Sequence, residues 1–355
     1  MTKKYYIPTM AEVSAIKPNG LKVISTFSGG GGSCTGYRMA GFQVLWANEF
    51  IPEAAKTYKA NHPNSMLDQR DIRKVKPEDI LADIGMQVGE LDLFDGSPPC
   101  SAFSAAGKRE KGWGEVKAYS DDAHQVVDDL FFEYARLVKG IQPKVFIAEN
   151  VAGLIKGKAK GYFKEIYQQL QDCGYHVICK VLDAQWLGVP QMRARTIFVG
   201  IRNDLWKPEY EGITHPKPFE YQVTLAEAFA DLEFTEQDRE QTDLSRYSIY
   251  PLLKTLRPGT SHLKRFTLSK GTKHRQSYCV TATNGNIGAG NTCHWDNRAY
   301  TVSEIKRIMS IPDDYVLTGT YGKQVERCGR MVAPLVMKAV AENLLKLGVF
   351  DGSTK

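Results

Sequence analysis

Several features that would assign this 355-residue chain to a broad class are missing from it. No stretch approaches the ~20 consecutive apolar residues of a membrane-spanning helix. The opening MTKKYYIPTMAEVSAIKPNG has no apolar core between its charges and its first proline, so it is read as having no signal peptide. The seven cysteines (Cys34, Cys100, Cys173, Cys179, Cys279, Cys293 and Cys328) are odd in number and include no CxxC pair. That argues against a disulfide framework and for reduced thiols in a cytosolic protein. His274, Cys279, Cys293 and His294 match no common zinc spacing, and no metal is expected. No Walker lysine follows the chain's one run of glycines, which argues against a P-loop. Internal repeats and low-complexity segments are absent.

What remains is an ordinary globular composition, 43% hydrophobic and 24% charged, long enough for one large domain and a smaller one. A net charge of +6 fits a polyanionic partner without requiring one. Residues 21–27 (LKVISTF) read as a strand running into Ser28-Gly29-Gly30-Gly31-Gly32-Ser33 and then a helical pattern through Met39. Strand, glycine loop and helix is a geometry in which backbone approaches a ligand closely, although such a run also serves as a plain turn. A second strand, residues 43–48, ends at Glu49, placed for ribose hydroxyls or as a cap on the helix near Pro52. A third element ends in Asp71-Ile72, placed to meet an adenine ring.

The stretch LDLFDGSPPCSAF, residues 91–103, is an apolar run that ends in two prolines and Cys100. Ligand chemistry in open α/β sheets gathers beyond the carboxyl ends of strands, so this thiol is a candidate nucleophile; a small buried hydrophobe is the alternative. The following loop, residues 101–120, is basic and glycine-containing, with Ser104, Lys108 and Arg109 near its start, and reads as a lid over a phosphate backbone or as a solvated surface loop. Residues 144–148 (KVFIA) form another apolar run, which ends in Glu149 and would put a carboxylate on the same rim as Cys100. Arg193 and Arg195 are two apart in a strand pattern, which predicts one shared face, suited to a phosphate or a carbonyl oxygen or, equally, to a surface ion-pair patch. Between Pro251 and Asn297 seven cations stand against the single acid Asp296, interleaved with Phe266, Tyr278 and Trp295. That pattern suits nucleic-acid contact, with a solvated loop region as the alternative.

In chain order the sequence shows TFSGGGGSCTGYRMAGF, ANEF, DI at Asp71, GSPPCSAFS, ENV, QMRAR, RAYTVSEIKRIMSIPDDY and GRMVAPLVMKAVAENL. With these motifs in this order from about Lys22 to Leu347, the chain resembles the DNA cytosine-5 methyltransferases. The resemblance implies an α/β Rossmann-like fold with a mixed seven-stranded sheet, S-adenosyl-L-methionine as cofactor, and a catalytic domain over residues 1–201 and 298–355, its C-terminal helix packing back on it. Residues 202–297 would then be a smaller target-recognition domain. It implies cofactor contacts from Phe27, Ser28, Gly29, Gly31, Gly32, Glu49, Phe50, Asp71, Ile72, Ser97, Pro98 and Leu130. Catalysis falls to Cys100, Glu149, Arg193 and Arg195, and nucleic-acid contacts to Ser101, Ser104, Lys108, Arg109, Gln191 and Thr281. Three positions depart from the family pattern: Ser25 stands for an acid, Ser101 for a glutamine and Arg330 for an asparagine.

The activity so implied is methylation at C5 of a flipped-out cytosine in a specific duplex sequence, through a covalent bond from Cys100 to C6. The expected setting is the bacterial cytoplasm, with the enzyme bacterial or phage-encoded, monomeric and nucleoid-associated. It would act as an orphan or beside a cognate restriction endonuclease. Two alternatives stand beside it: a cytosine-5 methyltransferase acting on tRNA, disfavoured by the long variable region, and a catalytically silent DNA-binding relative, disfavoured by the intact Cys100, Glu149 and Arg195.

Overall fold

The structure, a computed structural model, describes residues 5–99, 117–120, 123–125, 129–155, 160–265, 267–289 and 291–351. Cys100, Ser101, Ser104, Lys108, Arg109 and Phe266 lie outside the described residues, as does the expected lid apart from the backbone of 117–120. Two compact units form: Met1–Ala15, Asp183–Arg193 and Pro218–Val336 in one, Ile16–Leu182, Ala194–Lys217 and Met337–Lys355 in the other. The expected recognition region, 202–297, coincides with neither unit, since the units divide the chain at other points.

After the short α1 (Met10–Ala15) of the first unit, the second unit alternates strands and helices. They are β1 (Lys22–Thr26), α2 (Gly32–Met39), β2 (Gln43–Asn48), α3 (Pro52–Asn61), β3 (Met66–Asp68), α4 (Pro77–Ile84) and β4 (Leu93–Gly96). A small antiparallel pair, β5 (Lys117–Ser120) and β6 (Ala123–Gln125), precedes α5 (Leu130–Ile141), β7 (Val145–Val151), α6 (Lys160–Asp172), β8 (Tyr175–Asp183) and β9 (Ala194–Arg202). The sheet has seven strands in the order β3-β2-β1-β4-β7-β9-β8. β3, β2, β1, β4 and β7 are mutually parallel and β9 runs antiparallel to β7.

The strand composition follows from this placement. β4 is buried at every position and β7 at all but its last, as expected where helices cover both faces of a parallel sheet. α5 turns Leu130, Phe131, Tyr134, Leu137, Val138 and Ile141 into the core at helical spacing. Tyr134 stacks on Phe94 at 5.0 Å, and its hydroxyl donates to the carbonyls of Phe94 and Ile147. Gly96 is needed there, because a Cβ would lie 2.4 Å from the Tyr134 ring. The chain order reverses at β1, whose neighbours are β2 and β4, so the ligand crevice of such a sheet lies beyond the carboxyl ends of β1 and β4. Near the C-terminus, Met337 Sδ accepts from the Tyr37 hydroxyl of α2 at 3.6 Å.

The first unit has short elements: α7 (Leu225–Ala228), α8 (Glu236–Thr242), α9 (Tyr250–Thr255), β10 (Ser269–Lys270), β11 (Thr292–Cys293), α10 (Val302–Ile308) and α11 (Tyr321–Arg330), with α12 (Pro334–Lys346) beginning at its end. A small core of Leu244, Ile249, Leu253, Leu268, Cys293 and Ala299 holds this part of the first unit together. Glu304 is fixed by the two terminal guanidinium nitrogens of Arg298 and by the Thr301 capping box. No described helix is long and apolar enough to cross a membrane.

Candidate active site

The glycine loop leaves β1 through a left-handed turn: Phe27 has φ 53°, Gly29 φ 56° and Gly31 φ 92°. A non-glycine residue in that region is uncommon and marks a segment whose path is imposed by its surroundings. A Cβ on Gly29 would meet nothing within 4 Å, so the loop presents an open side there. Glu49, 7% exposed at the end of β2, accepts from the Gly29 amide and the Ile51 amide, each at 2.7 Å. The Glu49 carboxylate thus ties the glycine loop to the segment that enters α3. Ser28 and Phe50 are accessible, Phe50 at 38%. Asp71 caps the turn that begins at Ile72 and pairs with Arg73. Gly31, Gly32, Ile72 and Leu130 are buried, the last two at 3% and 1% within the main hydrophobic core, so they back the wall expected for the adenine more than they line it.

Beyond β4 the segment toward Cys100 is pinned twice. The Ser97 amide donates to the Thr26 carbonyl at 3.3 Å, and the Asn150 side-chain amide donates to the Pro98 carbonyl at 3.1 Å. Asn150 was legible only as part of the ENV triplet; the structure gives it the task of holding the proline pair.

Glu149 on β7 and Arg195 on β9 face the same side. The antiparallel register sets Val151 against Arg195 and Glu149 against Ile197, which makes Glu149 and Arg195 diagonal neighbours. Arg195 Nε lies 2.9 Å from Glu149 Oε1, with the two side chains 19% and 11% exposed. The pair is a guanidinium and a carboxylate largely withdrawn from water, and such a pair responds strongly to loss of either partner.

Two expectations are corrected in the first unit. Arg193 lies outside β9, which begins at Ala194, and its side chain is spent within the first unit. Its guanidinium is buried and donates to the carbonyls of Val280 (2.8 Å), Gly329 (3.0 Å) and Met331 (3.1 Å). It is a cross-link between segments, not a group presented to a substrate. Gln191 is likewise fully buried: its Oε1 accepts from the Val280 amide, and its Nε2 donates to the Ile308 carbonyl and Met309 Sδ. An amide with both ends so engaged does not contact nucleic acid. Thr281, by contrast, stays partly exposed while capping the turn Ala282–Gly285 through Asn284. Arg193→Lys, which cannot serve three carbonyls from one plane, is expected to lower the urea midpoint of the protein by the equivalent of about 2–3 kcal/mol. An unchanged midpoint with lost activity would return Arg193 to the chemistry.

The family model for C-5 cytosine-specific DNA methylase matches residues 21–346. The chain belongs to the C-5 cytosine-specific DNA methylases. It is 32% identical over 348 residues to the Type II methyltransferase M1.HphI of Haemophilus parahaemolyticus, covering 92% of this chain and 87% of that one. It is 30% identical to the Type II methyltransferase M.Bsp6I of a Bacillus species, covering 92% and 99%. Among solved structures it resembles a putative DNA modification methyltransferase encoded in an Escherichia coli prophage, with TM-score 0.71, 21% identity and coverage of 92% and 99%. It also resembles DNMT2 of Spodoptera frugiperda, with TM-score 0.67, 18% identity and coverage of 92% and 100%. These two likenesses establish the Rossmann-like fold. The chain is a DNA (cytosine-5) methyltransferase, and the methyl donor of this family is S-adenosyl-L-methionine.

The residues present fit that donor: the loop is open at Gly29, a carboxylate stands beside it at Glu49, and the partly exposed carboxylate of Asp71 ends the next element.

Proposed function

We propose that this methylase modifies C5 of a flipped-out cytosine in one short duplex sequence, with Cys100 as nucleophile and Glu149 and Arg195 as its partners. The observation that carries this reading is the Glu149–Arg195 pair at 2.9 Å, on β7 and β9, the strands next to β4 in the sheet order. Cytosine C5 is a weak nucleophile. Addition of the Cys100 thiolate at C6 turns the ring into an enamine, nucleophilic at C5. Glu149 meets N3 and stabilises the charge that builds there as sulfur attacks. Arg195 fixes the Glu149 carboxylate and offers its remaining N–H groups to the cytosine carbonyl oxygen. The bound cofactor supplies an electrophilic methyl group on a sulfonium. A base then removes the C5 proton and Cys100 departs. Since C5 and C6 must be reached from opposite sides, the base cannot stay in the stack. Phe27, Ser28, Gly29, Glu49, Phe50, Asp71, Ser97 and Pro98 hold the cofactor.

Residues 202–297 act as the target-recognition region. Among the described residues, none of Lys254, Arg257, Lys264, Arg265, Lys270, Lys273 and Arg275 forms an ion pair with a carboxylate, whereas Arg70, Arg73, Arg202, Arg298 and Arg307 all do. Cations left unpaired in a folded protein suit a polyanion. Three of the residues on one turn are exposed: Leu263, Lys264 and Arg265. The His262 ring caps that turn by accepting from the Lys264 and Arg265 amides. Lys264→Ala/Arg265→Ala is expected to reduce the slope of log K for duplex binding against log salt by about 2 while leaving cofactor affinity alone. An unchanged slope would remove this turn from the DNA interface.

The chain acts as a monomer in the cytoplasm, as an orphan or beside a cognate endonuclease. Expression in cells lacking cytosine methylation, followed by bisulfite sequencing, tests the reading as a whole. A recurring methylated motif is expected. Methylation confined to RNA, or none at all, would overturn it.

A further inference from the structure

Asp95, the residue before Gly96 at the carboxyl end of β4, is 1% exposed. Its register partner on β1 is Ser25, whose hydroxyl donates to Oδ2 at 2.7 Å. The Tyr37 hydroxyl of α2 donates to Oδ1 at 2.8 Å, and the Ser33 side chain is a third hydrogen-bond partner. The network runs on: Ser28 donates to the Ser25 carbonyl at 3.0 Å and lies 3.1 Å from its hydroxyl. Ser28 and Ser33 are the two ends of the glycine loop, and Asp95 lies on the strand that leads to Gly96-Ser97-Pro98-Pro99-Cys100.

Among the described residues, no cation is a direct partner of this carboxyl; the Arg195 guanidinium of the network pairs with Glu149. The titratable groups that act on it are Cys34 and Tyr37 on α2, Tyr134 on α5 and Glu149 on β7, none of them a cation. Among the described residues Asp95 makes no ion pair. Burial pushes its carboxyl up to about 7; the hydroxyls of Ser25, Tyr37 and Ser33 oppose the rise and Glu149 adds to it. A buried acid held only by neutral donors gains most from a cation arriving nearby.

We propose that Asp95 is a positioning residue for the cofactor: through Ser25, Ser33 and Tyr37 it holds both ends of the glycine loop to the strand that leads to Cys100. It also sets beneath that loop a negative charge that favours the cationic methyl donor over its neutral thioether product. The proposal rests on the glycine loop being the cofactor cradle. Ser25 and Asp95 exchange one hydrogen bond across a strand pair, so exchanging the two side chains restores that bond with its acid on the other strand.

Titration calorimetry on the full chain tests this. S-adenosylmethionine and S-adenosylhomocysteine are titrated at pH 7 in buffers of different ionisation enthalpy. The wild type is expected to release a fraction of a proton on binding the sulfonium and less on binding the thioether. Asp95→Asn is expected to abolish that difference and to weaken sulfonium binding about tenfold, with thioether binding weakened less. Ser25→Ala, which removes one hydroxyl, is expected to weaken both ligands modestly, by about threefold. Asp95→Ser should behave as Asp95→Asn, and Ser25→Asp/Asp95→Ser should return to within about threefold of the wild type. Wild-type affinity and proton release in Asp95→Asn would overturn the proposal. So would equal losses for the two ligands, or a folded exchange variant that recovers nothing; if Asp95→Asn does not fold, the exchange variant and Ser25→Ala decide. A wild type that binds neither ligand would instead remove the cradle on which the proposal rests.

Discussion

Cys100→Ala is expected to abolish methyl transfer, by a factor of about 10³ or more, while cofactor affinity stays within about threefold of the wild type. Without the thiolate no bond forms at C6, and C5 keeps the low nucleophilicity of an aromatic carbon. The thiol needs activation, since a free cysteine ionises near about 8.5. The residues proposed to hold the cofactor are drawn mostly from the glycine loop, Glu49 and Asp71, all earlier in the chain, so they survive the change. Transfer of labelled methyl groups to duplex DNA and equilibrium binding of the cofactor provide the two readouts. Retained transfer in the variant would exclude Cys100 as the nucleophile. A duplex carrying 5-fluorocytosine at the cognate site should trap the wild type as a denaturant-resistant adduct, because fluorine cannot leave as the C5 proton does. Cys100→Ala should trap none.

Glu149→Gln is expected to depress turnover by about 10²–10⁴ with duplex affinity changed by less than about threefold. Glutamine keeps the shape and one hydrogen-bond acceptor but can neither carry nor share the proton at cytosine N3. It also leaves the Arg195 guanidinium, 2.9 Å from the native carboxylate, without its charge partner. Turnover is therefore the quantity that separates a chemical from a structural role. Loss of turnover with intact binding supports the chemistry. Equal losses in both would place Glu149 in the scaffold of β7 and β9.

The parts of this protein legible in its sequence are those written locally. Buried strands such as LFDG and VFIA show as short apolar runs, and the glycine loop shows as a run of glycines at a strand end, confirmed by the positive φ at Gly29 and Gly31. Glu49 is another local feature, two residues from the amide of Ile51 that it caps. Arg193 and Gln191 were misread because their partners, Val280, Met331 and Ile308, lie more than eighty residues away, and nothing in QMRAR distinguishes an arginine spent on carbonyls from one offered to a substrate. Asp95 went unnoticed for the same reason. Beside Gly96 it looks like a turn acid, and its meaning comes from Ser25, seventy residues earlier.

The sequence alone determined the family and the strand–loop–helix units, because motif order and hydrophobic period are properties of neighbours along the chain. Tertiary structure decided which polar groups are free to act. Pairing of β7 with β9 joins Glu149 to Arg195, pairing of β1 with β4 joins Ser25 to Asp95, and burial withdraws Arg193 and Gln191. Hydrogen bonds and desolvation depend on what lies alongside a group in space, and strand register, not adjacency in the chain, sets that here.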